Sequence, residues 1–328
     1  MEYLSHSRKR ALSVLAVVAV MAAVCWPAGC RRQAPPPEVV LYSSVDDYLL
    51  REVLPAFEKR SGIPVRLVGD TEATKTTGLV ERLLAERDHP RADVWWSSEP
   101  FGTIRLQQEG VLASFNVAEG WPSGFRAADQ TWHGFALRSR VIAFNTKKLP
   151  EKDAPRSVKE LADPAWKGRI GMARPQFGTT RGHVGAILAE LGPEGYRAWL
   201  EGLKANGVRL YDGNSSVVRA VANGEIEAGL TDTDDVYSGQ KNGWPVAFAG
   251  EGLAIPNTVA KVKGGPHPDE ADLLIRFILS PEAETMLEKS ESRNRPVRTA
   301  GTPPAGGFEA INDRIPEALR AWDEVFGG

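Results

Sequence analysis

Asp232, Asp234 and Asp235 fall within four positions of "LTDTDDVYSG" (230–239), with Tyr237 two residues further on. Carboxylates this close repel one another unless a cation sits among them or water surrounds them. Asp46 and Asp47 follow another apolar run, and Glu99 follows a third. Oxygen ligands gathered in this way suit a hard cation such as Fe³⁺, Ca²⁺, Mg²⁺ or Mn²⁺. They would equally suit an organic cation, for which the indole faces of Trp95 and Trp96 offer partners. The plainer alternative is that Asp46 and Asp232 cap helices, that the other carboxylates face water, and that "ADVWW" turns at least one Trp into the core. An EF-hand loop is excluded, since Tyr237 stands where its glycine must be.

A second set of residues suits anions. Gly178, Thr179 and Thr180 open one predicted helix, and Asn214, Ser215 and Ser216 open another. Free N–H groups and the helix dipole at such an end can hold an oxyanion, although Ser and Thr also cap helices everywhere. Tyr42, Ser43, Ser44 and Ser98 stand at strand ends and are further candidate ligand contacts. Catalytic signatures are missing: there is no G-x-S-x-G, H-E-x-x-H, Walker loop or G-x-G-x-x-G. The five histidines, His6, His89, His133, His183 and His267, have no ligand spacing. His183, beside the 178–180 turn, is the one to keep in view. An extracytoplasmic hydrolase is a remote alternative.

These residues are positioned by alternating elements. Apolar runs at 39–44, 63–70 and 92–98 read as strands. Helical spacing follows each at 48–62, 76–88 and 102–112, with Pro55 expected to bend or shorten the first helix. This order argues a mainly parallel sheet flanked by helices, with ligands beyond the C-terminal strand ends at 42–47, 70–74 and 97–100. A long extended segment, 134–149, leaves this set for a second one. Further extended pieces return after 245, ahead of a helix at 269–289 and a C-terminal helix. The expected fold is α/β with two lobes joined by two crossovers: residues 39–135, completed by about 250–328, form lobe 1, and 136–249 form the crossover and lobe 2.

The first thirty residues stand apart. Arg8, Lys9 and Arg10 precede an apolar run from Ala11 to Val24 and then "CWPAGC", the order of a secretory signal peptide over 1–29. "AGC" resembles the end of a bacterial lipobox, which would make Cys30 the acylated first residue, although Pro27 stands where a Leu is usual. "RRQAPPPE" continues an extended tether over 30–38. Without 1–29 the chain has 37 basic and 41 acidic residues, net −4, and no basic footprint for nucleic acid. Cys25 would leave with the leader, so no disulfide is expected.

"VVLYSSVDD", "LPAFEKRSGIPVRLV", "RADVWWSSEP", "LADPAWKGRIGMARP" and "NSSVVRAVANGEIEAGLTDTDD", in this order over roughly 39–300, resemble the periplasmic solute-binding proteins of bacterial ABC importers. The similarity is to extracellular solute-binding family 1 and its ferric-iron-binding-protein-like branch, which also contains thiamine and phosphonate binders. The resemblance implies a two-lobed, type II-like periplasmic-binding-protein fold that closes on a ligand in the interlobe cleft. It implies a monomer at the periplasmic or cell surface, anchored by lipid and serving an inner-membrane permease. The first ligand it suggests is Fe³⁺ with a small synergistic oxyanion; a thiamine- or polyamine-type cation or an aminophosphonate is the alternative. The branch's adjacent tyrosines fall here on Asp234 and Asp235, its histidine on Asp46, and its glutamate on Ser98 or, with a one-residue slip, Glu99. Asp232 and Tyr237 complete the expected metal set.

Overall fold

A computed structural model describes residues 37–69, 76–117 and 120–327. The 1–29 leader, Cys30 and the 70–74 strand end lie outside them. The first half is built on strands β1 (Val39–Ser43), β2 (Val65–Gly69) and β3 (Val94–Ser97), with β1 pairing parallel to both others. Helices α1 (Asp47–Ser61), α2 (Thr77–Ala85) and α3 (Pro100–Gln108) follow them in turn. Every residue of β1 and β3 is buried, as strands covered on both faces must be. α1 buries Leu49, Leu50, Val53, Leu54 and Phe57 and ends at Gly62, whose φ of 71° allows its N–H to close on Glu58. Pro55 does not shorten this helix as expected; it stands on the exposed side, where the carbonyl that its missing N–H leaves unpaired is open to solvent.

Strand β4 (Leu112–Ala113) leads to β5 (Trp132–Asn145), fourteen residues long and buried throughout. The second half contains β6 (Ile170–Ala173), α4 (Gly178–Ala205), β7 (Arg209–Tyr211), α5 (Asn214–Asn223), β8 (Ala228–Asp232), α6 (Thr233–Lys241) and β9 (Val246–Ala249). α4 is two helices joined at a kink, where Gly192 takes φ 70° and Pro193 follows. The chain returns through β10 (Ala254–Val262) and closes with α7 (Pro268–Ile278), α8 (Pro281–Lys289), α9 (Val297–Ala300) and α10 (Gly307–Phe326). The expected 269–289 helix is thus two, because Pro281 opens the second and Ser280 caps it by accepting from the Ala283 N–H.

The sheet is mixed rather than mainly parallel. Its order is β2-β1-β3-β10-β5-β8-β6-β7, and both crossover strands run antiparallel to their neighbours. β5 pairs with β10 up to Ser139 and with β8 from Arg140 onward, so one strand belongs to both halves. From Pro37 on the chain is accordingly one compact unit. α10 also divides its apolar residues: Phe308, Ile311 and Ile315 join the first core, while Ala318, Trp322 and Val325 join the second. The expected completion of lobe 1 by about 250–328 therefore describes this helix only as far as Ile315. No helix of the described residues is long and apolar enough to cross a membrane.

Candidate functional site

The C-terminal ends of β1, β3, β6 and β8 and the N-termini of α1, α4, α5 and α6 meet around a narrow cleft. Asp46 and Ser98 line it from the first half. Gly178, Thr179, Thr180, Asn214, Asp232, Asp234 and Asp235 line it from the second, and Arg138 and Asn257 from the two crossover strands. Ligand oxygens of Asp232, Asp234 and Asp235 come within 4.8 Å of one another. Asp234 and Asp235 lie in the first turn of α6, where the helix dipole favours a negative charge.

The repulsion among these carboxylates is met from within the chain. Arg138 and Arg140 lie two apart on β5 and therefore share a face. Arg140 Nη1 donates to Asp232 Oδ1 at 2.7 Å, and Arg138 Nε donates to Asp232 Oδ2 at 3.2 Å. The Thr179 hydroxyl and the Asn214 amide donate to Asp232 Oδ2 at 2.7 and 3.0 Å. Arg138 Nε also stands 3.6 Å from Asp234 Oδ2. Burial works against ionising Asp232, but Arg140, Arg138 and the Thr179 hydroxyl outweigh it and lower its pKa to about 2. Burial likewise opposes the charge on Arg138, and Asp234 and Asp232 reverse the balance to hold it protonated. Two guanidinium groups thus face three carboxylates. Asp232 is the brace of the site, and what it leaves facing the cleft is a weaker negative field than three aspartates imply.

A family model described as bacterial extracellular solute-binding protein matches residues 39–290. The chain belongs to that family. Among relatives, this solute-binding protein is 29% identical over 279 residues to the major ferric iron-binding protein of Neisseria meningitidis serogroup B, covering 76% of this chain and 78% of that one. It is also 29% identical over 279 residues to a putative 2-aminoethylphosphonate-binding periplasmic protein of Salmonella typhimurium, covering 81% and 79%. Iron-bound HitA from Pseudomonas aeruginosa superposes with a TM-score of 0.78 at 27% identity, over 89% of this chain and 100% of that one. The two-lobed α/β architecture expected from the order of elements is therefore the fold of this solute-binding protein.

Several expected contacts fall elsewhere. Glu99 is buried as the N-cap of α3, accepting from the N–H groups of Phe101 and Gly102 at 2.6 and 3.0 Å. It lines a separate small cavity with Thr76 and Arg181, so Ser98 and not Glu99 faces the cleft. Burial raises the Glu99 pKa against those two backbone hydrogen bonds. Tyr42 turns away from the cleft and donates to Glu86 at 2.9 Å beneath the Arg82 guanidinium. Ser43 accepts from the Val45 N–H and shapes the β1 turn, and Ser44 accepts from the Ser98 N–H. Tyr237 packs edge-on against Phe248 with Arg293 over its ring at 4.7 Å, and it lines neither the cleft nor the cavity beside it. Trp95 and Trp96 are both 0% exposed, because β3 lies between β1 and β10 and is covered on both faces. Neither indole can therefore receive a cation. Gly213, not Asn214, takes the N-cap position of α5, which frees the Asn214 side chain to brace Asp232.

Three residues that the sequence reading passed over matter here: Arg138, Arg140 and Tyr48. The two arginines sit in the apolar stretch "GFALRSRVIAF", where buried charges must have partners. That demand was the available signal. Tyr48, in the first turn of α1, gave none.

Proposed function

We propose that this solute-binding protein is the extracytoplasmic substrate-binding component of an ABC importer and that it captures ferric iron with a small oxyanion. The observation that supports the metal reading is Tyr48. Its hydroxyl is buried without a hydrogen-bond partner among the described residues, in a cavity that it shares with Asp46 and Asp235 and that adjoins the cleft. Burial, then the charges of Asp234, Asp46 and Asp235, raises its pKa well above the usual tyrosine value. A ferric ion among these oxygens reverses that cost, since it binds phenolate and carboxylate as hard ligands. Thr179 and Thr180 at the start of α4, with Arg138 and Arg174 on the cleft wall, would hold the accompanying anion. The names of the Neisseria and Pseudomonas proteins agree with this reading.

Ferric citrate added to metal-free protein is expected to raise the melting temperature and to produce a visible phenolate-to-iron charge-transfer band. At a hundredfold excess over Kd the added stability would be about 2.7 kcal/mol. Tyr48→Phe should keep the fold and lose the band. Stabilisation without a band, equal in wild type and Tyr48→Phe, removes Tyr48 from the site.

A second reading, a zwitterion of the aminophosphonate type, is favoured by Arg138 and Arg140. The two guanidinium groups on Asp232 lower the negative field of the cleft, which suits an ammonium better than a trivalent ion. The Salmonella relative's name agrees with it. Running 2-aminoethylphosphonate, thiamine and putrescine in the same thermal-shift series separates the two readings. A shift from the phosphonate alone decides for the zwitterion.

The proposal extends to a leader over 1–29, an acylated Cys30 and a tether over 30–38, with the chain acting as a monomer beside its permease and carrying no catalytic activity. Lobes over 39–135 and 136–249, the first completed from about 250 as far as Ile315, are the proposed division. Mass spectrometry of native protein should find Cys30 as an acylated N-terminus. An unmodified Cys30 thiol would leave the protein unanchored.

A further inference from the structure

A short turn between α8 and α9, Ser290–Arg295, touches both halves of the molecule. Its base belongs to the first half, since Leu287 before it and Val297 after it lie in the first core. The Ser290 and Ser292 hydroxyls both donate to the Leu287 carbonyl, at 2.7 and 3.2 Å, and fix the turn to the end of α8. Its far side reaches the second half. Glu291 Oε2 lies 2.6 Å from Lys241 Nζ, and the Arg293 guanidinium lies 4.7 Å over the Tyr237 ring. Tyr237 and Lys241 are four residues apart and so share one face of α6. That helix packs into the second half through Val236, in one cluster with Val217 and Val221, and its first turn brings Asp234 and Asp235 to the cleft.

The turn is held in a conformation it would not adopt alone. Arg293 takes φ 48°, the left-handed region that a residue other than glycine enters at a cost. Asn294 is buried, and neither atom of its amide has a hydrogen-bond partner among the described residues, which is a further cost. Arg295 pairs with Leu137 of β5 in both directions, its N–H donating at 2.8 Å and its carbonyl accepting at 2.6 Å. Ala136, beside that pair, is also left-handed at φ 48°. β10 shifts register between Pro256 and Asn257, and the Asn257 amide donates to the Ala136 carbonyl at 2.9 Å. Irregular backbone is thus gathered where the turn meets the two crossover strands. Such residues persist only where their surroundings over-determine them, and they collect at switch regions.

We propose that Ser290–Arg295 is a catch, which grips α6 from the first half, positions Asp234 and Asp235, and holds the two halves at the separation seen here. Glu291 and Arg293 are its positioning residues, and neither lines the cleft. Surface contacts of these two kinds are individually weak, which suits a catch that must release when a ligand enters or leaves. The inference rests on where the cleft lies and not on which ligand it takes.

The test is a spin-label distance measurement on the ligand-free chain. Labels at Arg51→Cys and Arg219→Cys, exposed positions that line the cavity beside the cleft from the two halves, report the opening, with Cys25→Ser and Cys30→Ser as background. With the catch unaltered, the short distance should dominate. Glu291→Lys, which sets two cations together, should raise the ratio of long to short distances roughly fivefold, and adding Lys241→Glu should restore it. Arg293→Gly should open the chain while keeping the melting temperature, since glycine takes the left-handed conformation freely. A long distance that already dominates with the catch unaltered overturns the proposal. So does a distribution that Glu291→Lys leaves unchanged or that the reversed pair does not restore. A lower melting temperature without opening in Arg293→Gly also overturns it, since the turn would then be structural only.

Discussion

Arg140→Met is expected to lower stability by about 3–5 kcal/mol, because it leaves the Asp232 carboxylate buried with its strongest partner gone. The geometry behind this is specific. Arg140 Nη1 reaches Asp232, Thr179 and Asn214 at 2.7, 3.3 and 3.2 Å, and its Nε holds His183. Chemical denaturation should show the midpoint moving with the m-value unchanged. Adding Asp232→Asn should recover part of the loss, since a neutral amide in that place no longer needs a cation. A double variant no more stable than Arg140→Met would mean that the arginine acts through packing alone.

The second large effect concerns His133, which is 0% exposed, packs against Phe115 and Trp121, and has neither ring nitrogen hydrogen-bonded among the described residues. Burial, then the Arg126 charge, lowers its pKa to about 4. The unfolded chain, with an ordinary imidazole pKa near 6.5, binds this proton first. Stability is therefore fully present above about pH 6.5, falls as pH drops through the window between about 6.5 and 4, and levels off below it. A shift of this size corresponds to roughly 3 kcal/mol across the window and about 2 kcal/mol at pH 5. His133→Phe should remove that share of the acid sensitivity. The readout is the difference in stability between pH 7.5 and pH 5, so that any cost of the larger ring cancels. His183, also held neutral by burial and Arg140, contributes in the same direction and should preserve a residual slope. An unchanged pH 7.5-to-5 difference in His133→Phe would show that His133 does not titrate in this range.

The order of strands and helices was legible because apolar runs and helical spacing are local properties of the chain, and the family resemblance rested on that order. The carboxylate cluster was legible for the same reason, since "TDTDD" places its charges side by side. What neutralises them was not: Arg138 and Arg140 lie about ninety residues earlier and reach Asp232 only through the pairing of β5 with β8. Tyr48 was hidden in the same way, because its surroundings are assembled from α1 and α6. Glu99 carries a readable signal, since an acidic residue just before a proline at a helix start is a cap. The two tryptophans required knowing that β3 is an interior strand.

The changeover of β5 between its two partners, at Ser139 and Arg140, has a mechanical consequence. A protein hinged on loops can swing with little resistance, whereas a strand hydrogen-bonded on both sides of the pivot behaves as a torsion bar. Rotation of one half against the other would have to pass through this strand as twist. The residues flanking that pivot carry the two guanidinium groups braced against Asp232, so a ligand that alters the charge in the cleft loads the bar at its midpoint.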